Sequence, residues 1–358
     1  MRALSPAGLG QLFILKLEED RWNRGLAATL RSPQVAGVIV SARCVKSPET
    51  LAHLLQKIRN ALGTSPFLGL DADGPQPDPL RTAFSQVRLL PLPIDVGRKG
   101  VRAVETLAKL RGALLRLHGF NVDFAFSLNV TPPDSRTALA CATFASDPQQ
   151  VAGCGHAYLR GLHHQKVLAC AGHFPGLGSV EVDPVSRQPF SPKPMAGLWC
   201  EDLVPFRELL PRIPLLTISH ASYKAYDFDP LRPAVLSSKV VTGLLRVKLG
   251  YQGIAVADLP RLEASRGKLA AGDVAVRALD AGCDLIIVRG NRDSLEEAIQ
   301  AVRNWLESGR LTTDRLKKSL GRIAAARRGL AASRCGASRR ARQQLANQFK
   351  EWLKDFES

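Results

Sequence analysis

The chain has no uninterrupted apolar stretch of the ~18 residues needed to cross a bilayer, so no transmembrane helix is expected. Its opening segment, MRALSPAGLGQLFILKLEED, holds an apolar run too short for a secretory signal, with acids directly behind it. A cytoplasmic protein is expected. Cysteine is sparse: the seven (Cys44, Cys141, Cys154, Cys170, Cys200, Cys283 and Cys335) are odd in number and form no CxxC pair. That spacing excludes a disulfide scaffold and offers no zinc-ligand pattern, so the thiols are expected to be small buried hydrophobes. No GxGxxG follows the first candidate strand, which removes the usual warrant for a dinucleotide fold. No metal or cofactor is expected. Low-complexity tracts and internal repeats are absent too. What is left, 45% apolar and 23% charged residues with 29 Gly and 23 Pro, is an ordinary globular composition.

Acids are the scarcer charge, 32 against 49 Lys and Arg, for a net charge of +17. The excess is concentrated. From Arg310 to Arg342 the only acid is Asp314, set among Arg310, Arg315, Lys317, Lys318, Arg322, Arg327, Arg328, Arg334, Arg339, Arg340 and Arg342. We expect a solvated face of terminal helices, with weak, salt-sensitive, sequence-indifferent attraction to polyanions.

Short β-rich apolar runs alternate with segments of helical period, the pattern of parallel βα units. Eight strands are predicted: Gln11–Leu17, Val35–Ser41, Phe67–Asp71, Val122–Leu128, Val167–His173, Leu215–His220, Gly253–Asp258 and Asp284–Arg289. Helices are expected near 48–62, 100–117, 147–164, 233–249 and 273–281. Ser47-Pro48 and Asp147-Pro148 place a capping side chain before a proline. Ser294 with Glu297 suggests a capping box for a helix ending near Leu306. Eight such units fit a closed (β/α)8 barrel better than an open sheet. We expect one barrel domain over residues 1–330. A basic, amphipathic helical extension over 331–358 would follow, with Leu345, Phe349, Trp352, Leu353 and Phe356 at helical spacing.

Reactive groups of such a barrel sit at the C-terminal ends of its strands. Read there, the sequence offers Asp71, Asp73, Asn129, His173, His220, Asp258 and Arg289, a polar ring suited to a sugar or sugar-like ligand. Carboxylates and imidazoles gathered in one mouth perturb each other's pKa values.

Several segments then converge. VLACAGHFPGLG, ending at Gly178, closely resembles the KHFPGHG segment of glycoside hydrolase family 3. LGLDADG at 68–74 is similar to that family's (A/I)DxEGG, GFNVDFAFSLNV at 119–130 to its G(I/V)NxxFAPVxDV, and ATFASDPQQVA at 142–152 to RSFGxDPxxVA. LLTISH and RPAVLSSKVVTGLLRVKLGYQGIAVADL at 232–259 resemble AH…PASLSxxxxxxLLRxxLGFxGVVxSDDL. The segments run in family order from about Gly10 to Leu330, and the subgroup they resemble is the single-domain bacterial β-N-acetylglucosaminidases.

The resemblance implies retaining hydrolysis through a covalent glycosyl-enzyme, with the nucleophilic aspartate at Asp258. In the subgroup, a histidine of a DSH triplet donates the proton and an aspartate orients it. This chain reads Asp183-Pro184-Val185 there, keeping the orienting Asp183 and putting an aprotic Val185 in the donor's place. The lysine of KHFPGHG is Gly172 and its second histidine is Leu177, while His173 is kept. The arginine of RSFG is Ala142. Asp71 survives from DxEGG, whose glutamate and second glycine are Asp73 and Pro75; the aspartate of VxDV is Asn129.

Losing general-acid assistance costs ~10²–10⁴ in rate, and losing clamps costs binding and alignment. The resemblance therefore implies a binding or regulatory pseudoenzyme. Its competitor is a divergent glycosidase with Asp258 as nucleophile and an acid drawn from Glu181 or Asp183, or from His156, His163 or His164 if the loop is misaligned.

Overall fold

Four to seven residues of β-branched and aliphatic character, punctuated by Gly, Pro or a polar residue, are enough to start each strand. In the computed structural model, the described residues are 6–18, 22–42, 45, 47–63, 65–71, 90–132, 142–182, 188–227, 230–260, 262, 270–289, 291–330 and 338–357. Eight strands, β1 (Phe13–Leu17), β2 (Gly37–Ser41), β3 (Phe67–Asp71), β4 (Val122–Ser127), β5 (Leu168–Phe174), β6 (Leu215–Ile218), β7 (Ile254–Asp258) and β8 (Leu285–Arg289), close into a parallel barrel. Each pairs with its neighbours in sequence, and β8 returns to β1 through Phe13↔Ile286 to Lys16↔Arg289. This is the expected (β/α)8 architecture.

The register settles which side chains face inward. Asp123 of β4 reaches the helix layer, where Arg111 and Tyr158 hold its carboxylate, so alternation turns Val122 and Phe124 into the barrel. Partners across parallel strands share a face. Following the pairs Val122↔Leu168, Gly172↔Thr217, Thr217↔Val256, Asp258↔Ile287 and Arg289↔Lys16 around the ring puts Gly172, Asp258, Arg289 and Lys16 on the inner face.

The outer layer is α1 (Arg24–Arg31), α2 (Pro48–Leu62), α3 (Val101–His118), α4 (Pro148–His164), α5 (Lys239–Lys248), α6 (Ala271–Ala281), α7 (Arg292–Glu307), α8 (Thr313–Arg328) and α9 (Arg339–Glu357), with shorter turns between. Ser47 caps α2 through a reciprocal box with Thr50, and Asp147 caps α4 by accepting from Gln150 N–H. At α7 the cap is Asn291, not Ser294: the Asn291 side chain accepts from Ser294 N–H, so the helix starts at Arg292. The helix expected over 233–249 is two pieces, a 3₁₀ turn at Ala234–Leu236 and then α5, which is wound in the wider π manner. Among the described cysteines, Cys154, Cys170 and Cys283 are buried as expected, but Cys200 is exposed.

Asp284, fully buried just before β8, gathers three arginines, Arg246, Arg315 and Arg322. It also accepts from Ser319 Oγ at 2.7 Å and Ala255 N–H at 3.0 Å. Arg327 donates to the Gln11 side chain and the Ala36 carbonyl, and its guanidinium lies over the Phe67 ring. Arg342 pairs with Glu49 at 2.7 Å. Half-buried or buried arginines therefore take part of the basic run into the fold, and only the remainder is the solvated face expected from sequence. Helix α9 lies against α3, burying Leu345 and Phe349, with Lys99 over the Phe356 ring. No helix of the described chain is long and apolar enough to cross a membrane.

Candidate functional site

Asp71, His173, His220, Asp258 and Arg289 all come to the C-terminal end of the barrel, at or just beyond the ends of β3, β5, β6, β7 and β8. Asp71 closes β3 in register with Ser41. Asp258, half-buried, closes β7 on the inner face. Lys16 and Ser41 belong to the same rim, at the ends of β1 and β2, and sequence reading passed over both. The strand-end rule that found Asp258 would have found them. Arg289 pairs with Glu18 at 3.5 Å, with both side chains substantially exposed.

His173 sits beside His220, and burial, reinforced by that second imidazole, pulls its pKa down to about 3. It is a neutral imidazole at ordinary pH. A neutral ring can hydrogen-bond a hydroxyl, but its remaining N–H is too weakly acidic to protonate a leaving group.

The segment from Gly172 to Gly178 is fixed from two sides. Asn129, fully buried, accepts the backbone N–H groups of His173 at 3.2 Å and Leu177 at 2.8 Å, and donates from Nδ2 to Ser127 Oγ at 3.0 Å. Tyr223 Oη donates to the Gly176 carbonyl, with Ser219 Oγ at 2.9 Å. Phe174 meets Phe206 edge-on at 5.4 Å. Sequence reading put Asn129 among the substrate ligands, but its carboxamide is committed to the loop backbone, which makes it a positioning residue.

The three glycines of this segment differ in kind. Gly176 has φ of +133°, and a Cβ on Gly178 would fall 1.6 Å from the Val130 carbonyl oxygen; neither position tolerates a side chain. Gly172 needs no such freedom: a Cβ there meets Thr217 Cβ at 3.4 Å, an ordinary contact. Leu177 is buried and apolar, and Ala142 is half-buried.

Beyond the loop, Glu181–Val182 pairs antiparallel with Pro189–Ser191, which in turn pairs with Ser222–Tyr223. This small sheet is buttressed by Asp202, fully buried, which accepts from Ser179 Oγ and Lys193 Nζ. Glu181 is exposed on the stem. Asp183 and Val185 fall between the paired strands, outside the described residues, as does Asp73. His163 and His164 end α4 on the side where β5 begins, the opposite end of the barrel from Asp258, and both are exposed. They do not belong to the mouth. His156, also on α4, is held in the outer layer with its pKa lowered by burial.

Residues 7–326 match the glycosyl hydrolase family 3 N-terminal domain. The chain belongs to that family. A β-hexosaminidase of Xanthomonas oryzae pv. oryzae is 31% identical over 313 residues, covering 85% of this chain and 89% of its own. Among solved structures, a family 3 β-N-acetylglucosaminidase from Paenibacillus is 26% identical with a TM-score of 0.82, over 97% of this chain and 68% of that one. A family 3 glycosyl hydrolase from Mycobacterium smegmatis is also 26% identical, with a TM-score of 0.78, over 90% and 96%. The family 3 barrel of this chain is thus β-N-acetylglucosaminidase-like in fold.

Proposed function

We propose that this family 3 barrel binds a sugar or sugar-like ligand at its mouth and has lost efficient hydrolysis of natural β-N-acetylglucosaminides, serving as a binding or regulatory pseudoenzyme. One observation carries the reading. The loop that presents His173 is anchored at His173 N–H, Leu177 N–H and the Gly176 carbonyl, yet Gly172 bears no side chain where the backbone would accept a Cβ. At the position of the family's lysine the backbone has room for a Cβ, and the sequence supplies none. Asp71, Asp73, His173 and His220 are assigned to the ligand, and Asn129 supports them through the loop.

Asp258 retains the nucleophile position. Its carboxylate oxygen can bond to the anomeric carbon as the bond to the leaving oxygen breaks, and a very acidic phenol departs without a proton. A sugar alkoxide does not, and neither Val185 nor neutral His173 supplies one. The test is an aryl β-glycoside screen with intact mass spectrometry after exposure to an activated fluoro-sugar. We expect slow, single labelling on activated compounds, lost in Asp258→Asn, and no turnover of natural β-N-acetylglucosaminides. Ordinary enzymatic turnover of a natural substrate would overturn the proposal.

A second reading, a divergent retaining glycosidase, draws support from Glu181, which is exposed on the stem of the strand pair leading to Asp183. Loss of natural-substrate turnover in Glu181→Gln or Asp183→Asn would single it out.

A further inference from the structure

At the end of the barrel opposite Asp258, a hollow of about 470 Å³ opens between α8 and the chain entering β6 and β7. Pro214, Gln252 and Gly253 line it on the strand side, above the buried Ile254, and Lys318, Gly321, Arg322, Ala325 and Ala326 of α8 line the other. Volumes of roughly 300–1,000 Å³ are those of small-molecule sites.

Two features of this hollow have no structural explanation of their own, and a third adds to its charge. The first is Gly321. It lies inside the 16-residue helix α8, where glycine costs ~1 kcal/mol against alanine. Its φ is not positive, and a Cβ built there meets nothing within 4 Å, so no turn and no close neighbour demands it. Its effect is to keep the wall concave. The second is charge. Lys318 and Arg322 are one turn apart on the same helix face, no carboxylate lines the hollow, and Lys318 has no ion pair among the described residues. The third is that Arg322 bonds Asp284 at 3.0 Å, but Asp284 is already shared with Arg246 and Arg315. Among the described residues three guanidiniums share this one carboxylate beside the hollow, which makes the local charge positive.

We propose that the hollow binds a small organic anion. Its acidic group, a carboxylate or phosphate ester, is held between Lys318 and Arg322, and its apolar body lies over Gly321 against Pro214 and Ala325. The site is separate from the mouth, so it stands or falls independently of the proposed sugar binding. It differs as well from diffuse attraction of polyanions to the basic run, because it has a shape: head group and body must both fit.

The experiment uses the full chain at constant ionic strength and titrates phenyl phosphate, inorganic phosphate and phenol by calorimetry. Phenyl phosphate is expected to bind saturably at one site, about tenfold or more tighter than either fragment. Gly321→Leu fills the hollow and favours the helix. It is expected to weaken phenyl phosphate by about tenfold or more while thermal unfolding stays at or above that of the parent. Lys318→Gln, an exposed change that leaves Asp284 alone, is expected to weaken phenyl phosphate several-fold and to leave phenol unaffected. The proposal is overturned if phenyl phosphate and inorganic phosphate bind alike, if no saturable binding is seen, or if Gly321→Leu folds and binds as the parent does. Should Gly321→Leu not fold, an unchanged phenyl phosphate affinity in Lys318→Gln overturns it equally.

Discussion

Asn129 Oδ1 accepts the backbone N–H of Leu177 at 2.8 Å, joining the end of β4 to the loop that follows β5. The same oxygen takes His173 N–H at 3.2 Å. Two backbone donors, one buried and one partly buried, thus depend on one side chain. Asn129→Ala orphans both and is expected to destabilise the fold by about 2–4 kcal/mol, since each buried unsatisfied group costs ~1–3 kcal/mol. Asn129→Asp keeps an acceptor in place and is expected to lose less. Urea unfolding midpoints check the order, and amide exchange at Leu177 checks that the loop is what loosens.

The glycines of the same loop are expected to separate cleanly. Gly172→Lys is accommodated and folds, because its Cβ meets only Thr217 at 3.4 Å or beyond. Gly178→Ala does not, since the new methyl would overlap the Val130 carbonyl. Val185→His alone, or Gly172→Lys alone, is expected to add little hydrolysis. Joined with Ala142→Arg, the three are expected to exceed the product of the single gains, because groups that act as a unit are non-additive. Turnover of an aryl β-N-acetylglucosaminide, measured across all combinations, tests this.

Acid is expected to weaken the fold through two histidines. His118, buried where α3 ends and near Arg342, has its pKa lowered to about 4 chiefly by burial, and His173 is lowered to about 3. Unfolded, both take up a proton near pH 6.5. Above that pH both states are neutral and stability is at its plateau. Between about 6.5 and 4 the unfolded chain binds protons that the folded chain refuses, so stability falls as pH falls, by up to ~1.4 kcal/mol per pH unit for each histidine. His118→Gln is expected to flatten the slope in unfolding curves taken across that window.

Asp284→Asn is expected to cost about 3–5 kcal/mol, the usual penalty for breaking a buried pair and leaving its cations uncompensated. Here Arg246, Arg315 and Arg322 all lose their counter-ion together. Thermal or denaturant unfolding of this one variant measures it. Adding a second change, Arg315→Met, is expected to recover part of the loss by removing one stranded charge.

Polyanion binding is expected to be weak and to fade as salt rises, since binding by lysines and arginines releases counterions. Arg315, Arg322, Arg327 and Arg342 are engaged within the fold, which leaves fewer cations than the sequence displays. Electrophoretic shifts with heparin and unrelated duplexes between low and moderate salt check it. A tight, salt-insensitive complex with one defined nucleic acid would be the contrary result.

The barrel was legible because parallel βα units write themselves locally. Apolar runs such as Gly37–Ser41 and Leu285–Arg289 need no partner to be recognised, and Ser47 and Asp147 cap their helices through neighbours three residues on. Positions at strand ends followed from that frame, which is why Asp258 and His220 were found. What the sequence hid depends on distant partners. Nothing near Asn129 in the chain tells that it serves Leu177, and nothing near Arg315 or Arg322 tells that a single aspartate, Asp284, will claim both. Asn291 displaced Ser294 as a cap because both are good caps, and only the path of the chain leaving β8 chooses between them. Gly172 shows the reverse case: its departure from the family motif was plain in the letters, but that the backbone leaves room there required coordinates.

The pairing of β8 with β1 has a kinetic meaning. Phe13 and Ile286 are neighbours in the sheet but lie at opposite ends of the barrel sequence, so every other strand can pair before this seam closes. Until it does, β1 and β8 are both sheet edges with unpaired backbone groups and apolar faces, open to wrong partners. Arg327 bonds Ala36 and Gln11 across the same region, a clasp that can form only when the two ends of the barrel have met. Weakening it therefore matters most on the way to the native state: a chain lacking Arg327 would spend longer as an open, sticky sheet, and its losses would appear as aggregate during refolding before they appear as a lowered melting temperature.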